Sequence, residues 1–236
     1  MAVLLLRLAG PMQSWGMQSR FTNRDTGLEP SKSGVIGLLC AALGIKRDDQ
    51  IRIKELADLK MGVRVDRQGI VKRDFHTAME VVIASGKNTK PCELSERFYL
   101  ADAVFLVAFQ GNVALLTKIQ EALQKPVWQI FLGRKSFVPG LPVQLPDGLK
   151  PDVDNIEIAL KDYPYLCATG KWEAPPDELR IEIETGYGQG DRVKQDQPES
   201  FDIYNRRFGL RYVDSIRHVK RSALPAPKEE LCIFLA

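Results

Sequence analysis

Residues 30–44 read PSKSGVIGLLCAALG and predict the helix around which the rest of the chain is organised. Ser33 can act as the N-cap, and Gly44 stands where a left-handed residue commonly ends a helix. Nearly every side chain between them is apolar or small, so the helix is predicted to be buried on all sides. Gly34 and Gly37 each lower helix propensity by about 1 kcal/mol relative to Ala, which is tolerable where another backbone or a ligand comes close.

The polar start of this helix, Ser31-Lys32-Ser33, allows two interpretations. An open helix N-terminus offers unpaired N–H groups and a partial positive charge, which suit a phosphate. The same residues can instead cap a core helix and bind nothing. The pattern leaves both interpretations open.

Length and composition set broad limits. A chain of 236 residues forms one large domain or two small ones. It has no apolar run of about 20 residues, so no membrane partner is expected, and the apolar start ends at Arg7, too early for a signal peptide. The four cysteines lack CxxC spacing, which predicts reduced thiols, a cytoplasmic location and no metal site. The glycines of residues 186–190 do not form a dinucleotide motif, and no cofactor is expected.

Charge is distributed unevenly along the chain. The net charge is only +3, but residues 204–221 carry six cations against one acid, whereas residues 148–185 are acidic. This asymmetry predicts one basic face directed at a polyanion. A solvated basic edge strand is the alternative.

The order of elements predicts an α+β fold: a ferredoxin-like (RRM-like) βαββαβ unit over residues 1–145, with a projecting β-hairpin thumb at 77–99. A smaller β-rich region, residues 146–236, is expected to pack on this unit. The predicted strands are 2–8, 61–65 and 70–75 (as a hairpin), 100–109, 179–184, 208–219 and 231–235; the further helices begin near Arg47 and after the cap Asn112, and 139–151 is a Pro- and Gly-rich connection.

The residues that could carry chemistry are few. His76, close to Arg73, could act as a general base in RNA cleavage, or could only orient a turn or touch a phosphate. Residues 12–16 read as a loop that exposes Trp15. Cations near glycine turns, an aromatic residue in a loop and a helix start suit a nucleic-acid backbone with splayed bases.

Several blocks of sequence together resemble one family. They are RLAGPMQSWG at 7–16, SKSGVIGLL at 31–39, RDFHT at 73–77, Lys125-Pro126 with FLGRKS at 131–136, and QPESF at 197–201 leading to RRF at 206–208. In this order they resemble the CasD family of the type I-E CRISPR Cascade, within the RAMP superfamily.

The resemblance implies a non-catalytic RNA-binding subunit that caps the foot of Cascade and holds the 5′ handle of the CRISPR RNA. Such a subunit contacts a backbone subunit and the large subunit, and meets target DNA only through the complex. Residues expected to bind RNA are Gln13, Trp15, Lys32, Ser33, Gly34, Arg73, His76, Arg134, Lys135, Arg206 and Arg207, with Lys87, Asn88 and Lys90 on the thumb.

Two other functions stay open. Type I-C relatives cleave the precursor RNA themselves, so a metal-independent endoribonuclease using His76 with Arg73 or Lys135 is the first alternative. The second is a protein scaffold whose basic face meets acidic neighbours rather than RNA.

Overall fold

The computed structural model describes residues 1–17, 22–83, 85–167, 176–220 and 224–225, without the side chains of residues 216–218. The elements, in chain order, are β1 (Ala2–Ala9), β2 (Met12–Gln13), β3 (Asn23–Arg24), α1 (Lys32–Leu43), α2 (Gln50–Ala57), β4 (Lys60–Arg67), β5 (Ile70–Val82), β6 (Thr89–Ala101), β7 (Val104–Gly111), α3 (Val113–Gln124), β8 (Gln144–Lys150), α4 (Ile156–Asp162), β9 (Glu178–Glu184), β10 (Arg192–Ser200) and β11 (Arg207–Lys220). Over these ranges, no helix combines the length and the apolar character needed to cross a membrane.

Seven strands form an antiparallel sheet in the order β10-β11-β9-β4-β7-β1-β8. The first strand pairs with β7 over its whole length, from Ala2 opposite Gly111 to Ala9 opposite Val104. Every residue of β1 is buried, and apolar side chains stand on both faces of the strand instead of alternating with polar ones. The exception is Arg7, whose buried guanidinium donates to the carbonyl oxygen of Pro142. The strand predicted at 2–8 is confirmed, and the α+β class with it.

Both faces of this sheet are covered. Leu4 and Leu6 point into a core shared with α1, α2 and α3, whereas Val3 and Leu5 point into a second core shared with α4. This division follows from the alternation of side chains along a strand. The sheet therefore presents little free surface at its centre.

A buried ion pair holds the cover of the second face in place. Arg64 on β4 pairs with Asp66 at 2.6 Å, and neither side chain is exposed. The same guanidinium donates to the carbonyl oxygens of Leu160, Tyr163 and Pro164. A buried charge is tolerated only when its hydrogen bonds are satisfied, so this cluster fixes the end of α4 against the sheet.

The first helix ends where predicted but begins earlier. Gly44 adopts φ 67°, as a left-handed C-terminal residue. The N-cap is Ser31, whose Oγ accepts a hydrogen bond from the N–H of Gly34 at 3.3 Å, so the prediction of Ser33 as the cap is wrong. The cap predicted at Asn112 for α3 is confirmed.

The long hairpin, formed by β5 and β6, differs from the prediction. Its strands pair from Ile70 opposite Ala101 to Val82 opposite Thr89, so residues 70–75 do not pair with 61–65. The reason is that β4 already has β7 and β9 as neighbours and offers no free edge. The strand predicted at 100–109 is also divided, because β6 ends at Ala101 and β7 starts at Val104. The hairpin predicted at 77–99 is thus part of a longer hairpin. Its strand β6 pairs with β2 and β3, and these strands together with β5 form a second sheet.

Two of the predicted C-terminal strands are present, and two further strands, β8 and β10, were not predicted. The predicted strands 179–184 and 208–219 correspond to β9 and β11. The predicted connection 139–151 contains β8, whose Pro146 is accommodated because β8 is an edge strand. The strand predicted at 231–235 lies outside the described residues. Strands from both sides of residue 145 share one sheet, and the division into two domains there stays a prediction.

Candidate functional site

The N-terminus of α1 is closed by a carboxylate of the same chain. Asp196 on β10 accepts a hydrogen bond from the N–H of Lys32 through Oδ2 at 2.8 Å. The guanidinium of Arg211 holds that carboxylate at 2.7 and 2.8 Å. The favourable position for an anion is therefore occupied, and the helix start is not an open phosphate site.

Lys32 is enclosed in the same charge network. Its Nζ lies 2.9 Å from both carboxylate oxygens of Glu184, and the residue is 0% exposed. Burial lowers the pKa of the Lys32 ammonium, against the attraction of Glu184. A phosphate cannot reach this side chain without breaking the pair, so Lys32 is removed from the proposed RNA contacts.

Trp15 is a core residue and not an exposed stacking residue. It is 1% exposed, and its indole N–H donates to Gln13 Oε1 at 3.2 Å. Gln13 is also buried and donates to the carbonyl oxygens of Leu8 and Ala103. A Cβ at Gly34 would lie 2.8 Å from the Trp15 ring, so this glycine permits close packing of the indole, and its half-buried backbone also lines the groove beside α1. Both predicted contacts of the 12–16 loop are internal.

The other side of α1 borders an open groove of about 500 Å³. One wall is the small-residue face of the helix, with Ser33, Gly37 and Ala41 one turn apart. Cations and aromatic rings supply much of the remaining lining. They are Lys46, Arg47, Lys135 and Arg206, together with Trp128, Phe131 and Phe201. We call this surface the α1 groove.

Gly37 has a different environment from Gly34. Among the residues that the structure describes, a Cβ built at Gly37 would meet no atom within 4 Å, whereas Gly34 lies against an indole ring. The absent side chain leaves helix backbone open to the groove. A flat ligand can approach the helix there more closely than at any residue with a larger side chain.

Trp128 also lines the α1 groove, and hydrogen bonds to the last turn of α1 fix its backbone. Its backbone N–H donates to the carbonyl oxygen of Ala41 at 3.0 Å, and the N–H of Val127 donates to Ala42 at 3.0 Å. The indole nevertheless stays 46% exposed. An exposed aromatic ring on an anchored backbone is suited to stacking, because little conformational entropy remains to be lost on binding.

The predicted cations divide into two groups. Lys135 and Arg206 are exposed and line the α1 groove. Arg207, which follows Arg206 in the sequence, is also exposed. Arg134 instead donates to the carbonyl oxygen of Phe98 at 2.9 Å, with its guanidinium 5.4 Å from the Phe137 ring centroid.

Arg134 thus stabilises the base of the long hairpin through its hydrogen bond to β6. Burial lowers the pKa of Arg134, and the neighbouring cations Arg97 and Arg24 lower it further.

The predicted residues of the long hairpin lie apart from the α1 groove, since none of the described lining residues belongs to β5 or β6. Arg73 pairs with Glu96 at 2.9 Å. His76 has a buried Nδ1 with no hydrogen-bond partner among the described residues. The tip residues are all exposed. They are Lys87, Asn88 and Lys90, the last paired with Glu93 at 3.1 Å.

Sequence reasoning missed most of the groove lining. Trp128, Lys46 and Arg47 were not predicted, and the aromatic residues at 131 and 201 were quoted only as parts of family blocks. The signal that could have found Trp128 is its position two residues after Pro126, where a helix ends and a bulky apolar residue enters a loop.

The lining of the α1 groove is suited to binding a ligand, and the thiol that it contains is unreactive. Burial raises the pKa of the Cys40 thiol in its wall to about 12, so this thiol is protonated at neutral pH. Over the described ranges, no group of three His, Cys, Asp or Glu side chains could hold a metal ion.

The structure is that of a two-sheet α+β protein with a long projecting hairpin and a cationic, aromatic groove along one helix. A family model described as "CRISPR-associated protein (Cas_Cas5)" matches residues 3–214. The chain belongs to this family, the Cas5 proteins, and is a homologue of the type I-E Cascade subunit CasD.

Three relatives illustrate the similarity. The CRISPR system Cascade subunit CasD of Escherichia coli (strain K12) is 35% identical over 150 residues, which are 56% of this chain and 65% of that protein. A chain from a crystal structure of a Cas protein is 40% identical with a TM-score of 0.74, over 95% of this chain and 98% of the other. A chain of a CRISPR RNA-guided surveillance complex is 35% identical with a TM-score of 0.77, over 97% and 95%.

Proposed function

We propose that this protein is a non-catalytic subunit of a type I-E Cascade complex that binds and caps the 5′ handle of the CRISPR RNA. In that position it helps to hold the guide for recognition of target DNA. The α1 groove is the observation that carries the proposal, because cations and aromatic rings converge there on one open surface. The similar chain in a surveillance complex supports the assignment to an RNA-guided assembly.

The chemistry of the groove favours single-stranded nucleic acid. Lys135 and Arg206 are free to contact phosphates, which fix the position of a strand but do not read its sequence. Trp128 and Phe131 offer apolar rings on which unpaired bases can stack. An acidic protein partner would also be served by the cations, but a single strand matches cations and flat rings together, with its phosphates on the first and its bases on the second, so RNA is the better fit.

The strand order supports the finer fold assignment within this proposal. The strands β4-β7-β1-β8 are adjacent in that order, and α1 and α3 pack on one face. This is the arrangement of a ferredoxin-like βαββαβ unit. The face on which RRM domains stack RNA is covered here by α4, so we place the RNA on the helical side instead.

The long hairpin is the part of the chain that we assign to partner subunits. Phe75, Met79 and Leu94 are 60%, 68% and 47% exposed, and an exposed apolar group of this kind marks an interaction surface. We propose that this surface meets the backbone subunit, the large subunit or both, beside the junction of handle and guide. The exposed tip cation Lys87 is available to the RNA there, and Lys90 would exchange its exposed pair with Glu93 for a phosphate.

An RNA-binding and cleavage assay tests the proposal against endoribonuclease activity. Purified protein is incubated with repeat RNA in EDTA, and bound and cleaved species are separated. We expect retention of the intact RNA, and reduced retention by the Lys135→Ala, Arg206→Ala variant. Specific cleavage that disappears in His76→Ala would establish the endoribonuclease instead, and purified complexes free of RNA would establish the protein scaffold.

A further inference from the structure

The α1 groove has the dimensions and the lining of a pocket for a single planar group. Its volume of about 500 Å³ falls within the range of about 300–1,000 Å³ that is typical of small-ligand pockets. Its walls combine a flat stretch of helix backbone at Gly37 with the ring of Trp128. A strand that only passed over the groove would leave this apolar interior filled with water.

Two features favour an aromatic group over a phosphate in the interior. The helix contributes the small residues Ser33, Gly37 and Ala41 to the lining, and the segment after α3 contributes the aromatic rings of Trp128 and Phe131. The cations, in contrast, are exposed to solvent: Lys46, Arg47, Lys135 and Arg206. Burying a phosphate among apolar groups is costly, whereas a base can leave water there and keep its phosphates beside the exposed cations.

We infer that the α1 groove takes one unpaired nucleobase of the bound RNA, stacked on Trp128 and lying against the helix backbone at Gly37. The inference rests on the proposed function, since it requires a single-stranded RNA ligand. The hydroxyl of Ser33 and the amide of Gln129 line the same groove and are the groups available to hydrogen-bond the edge of the base. A base inside a duplex cannot enter, because it is stacked and paired on all sides.

The glycine at position 37 follows from this arrangement. Glycine within a helix is unfavourable, and packing within the described part of the chain does not require it here, because a Cβ would touch no atom of those residues. A ligand that lies flat on the helix supplies the reason. Gly37 is therefore a positioning residue for the base, and a larger side chain there should exclude the base without disturbing the fold.

An abasic scan of the RNA tests the inference. Synthetic RNA corresponding to the repeat-derived 5′ end of the guide is prepared with one base removed at each position in turn. Binding to the full chain is measured by fluorescence anisotropy for the wild type, Trp128→Ala and Gly37→Leu. Tyr187→Ala is the matched control, because Tyr187 is 90% exposed and does not line the groove.

We expect one position at which base removal weakens wild-type binding about 5- to 150-fold, the range for loss of one stacked base. At that position the loss should vanish in Trp128→Ala and Gly37→Leu and persist in Tyr187→Ala. If each abasic loss persists in both groove variants, no base enters the groove and the inference is overturned while RNA binding stands. If the wild type binds none of these RNAs, the proposed function itself fails.

Discussion

The two sides of α1 carry similar residue types and have opposite roles. On one side, Lys32 and Trp15 lie inside the protein, and the N–H of Lys32 donates to the carboxylate of Asp196. On the other side, Lys135 and Trp128 remain exposed along the α1 groove. The difference teaches that a cation or an indole near a helix start indicates a binding site only if no other part of the chain covers it.

The largest expected effect concerns the closed side. Asp196→Ala should lower the free energy of unfolding by about 3–5 kcal/mol, because it leaves the guanidinium of Arg211 buried without its partner. Urea unfolding measures the change. The control is Glu96→Ala, which removes an exposed pair with Arg73 and should change stability by at most about 1 kcal/mol. Equal effects of the two substitutions would mean that the closed side is not a stabilising network.

The same carboxylate should give a defined dependence on pH. Burial alone would raise the pKa of Asp196, but hydrogen bonds from Arg211 and the Lys32 N–H bring it below the ordinary value. Because the folded-state pKa is the lower one, the contribution of Asp196 is present above the unfolded pKa of about 3.9 and is lost as the pH falls through the folded pKa. The stability difference between wild type and Asp196→Ala should therefore be constant near neutral pH and shrink below about pH 4. A difference that grows on acidification would contradict this.

Gly34 and Gly37 both line the α1 groove, but only Gly34 lies against the buried Trp15 ring, so replacing each by Ala should change stability in opposite directions. Gly34→Ala places a methyl group 2.8 Å from the Trp15 ring and should destabilise the protein by about 1–3 kcal/mol. Gly37→Ala meets open space and should stabilise it by about 0.5–1 kcal/mol. Thermal and urea unfolding of the Gly34→Ala and Gly37→Ala variants measure these changes in stability. A destabilised Gly37→Ala variant would show that the helix is also closely packed at Gly37.

Salt dependence tests the open side. Each phosphate contact should contribute about 0.7 to the slope of log affinity against log salt for single-stranded RNA. Lys135→Ala combined with Arg206→Ala should therefore flatten the slope by about 1.4. Lys118→Ala is the control, since this exposed lysine lies on α3 and does not line the α1 groove. A double variant with the slope of the wild type would exclude both cations from the RNA.

The smallest effect on stability is expected from the long hairpin. Replacing residues 76–95 with a short Gly-Ser turn removes mostly exposed side chains. It keeps the root of the hairpin at Phe98, whose carbonyl oxygen accepts hydrogen bonds from the side chains of Ser14 and Arg134. The melting temperature should change by no more than a few degrees, while assembly or target-DNA binding by the complex should fall. A large fall in the melting temperature would mean that the hairpin is part of the core. Unchanged target-DNA binding would mean that the hairpin is not part of the partner surface.

The sequence alone was enough for the elements whose signals are local. The strand β1, the end of α1 at Gly44, the Asn112 cap and the strands β9 and β11 follow from apolar runs and capping residues within a few positions. The family blocks were also sufficient to predict the Cas5 relationship, because their order along the chain is itself specific. These features depend on short segments, so a reader of the sequence has all the information that decides them.

Only the tertiary structure decided which of these residues are available for binding. The carboxylate that closes α1 stands 164 positions from Lys32, and the groove joins the helix to Trp128 and Arg206 from distant segments. The partner of β5 likewise depended on whether β4 had a free edge, which the placement of β9 removed. Exposure and pairing are properties of the packed chain, because burial of one residue is produced by others that folding brings beside it.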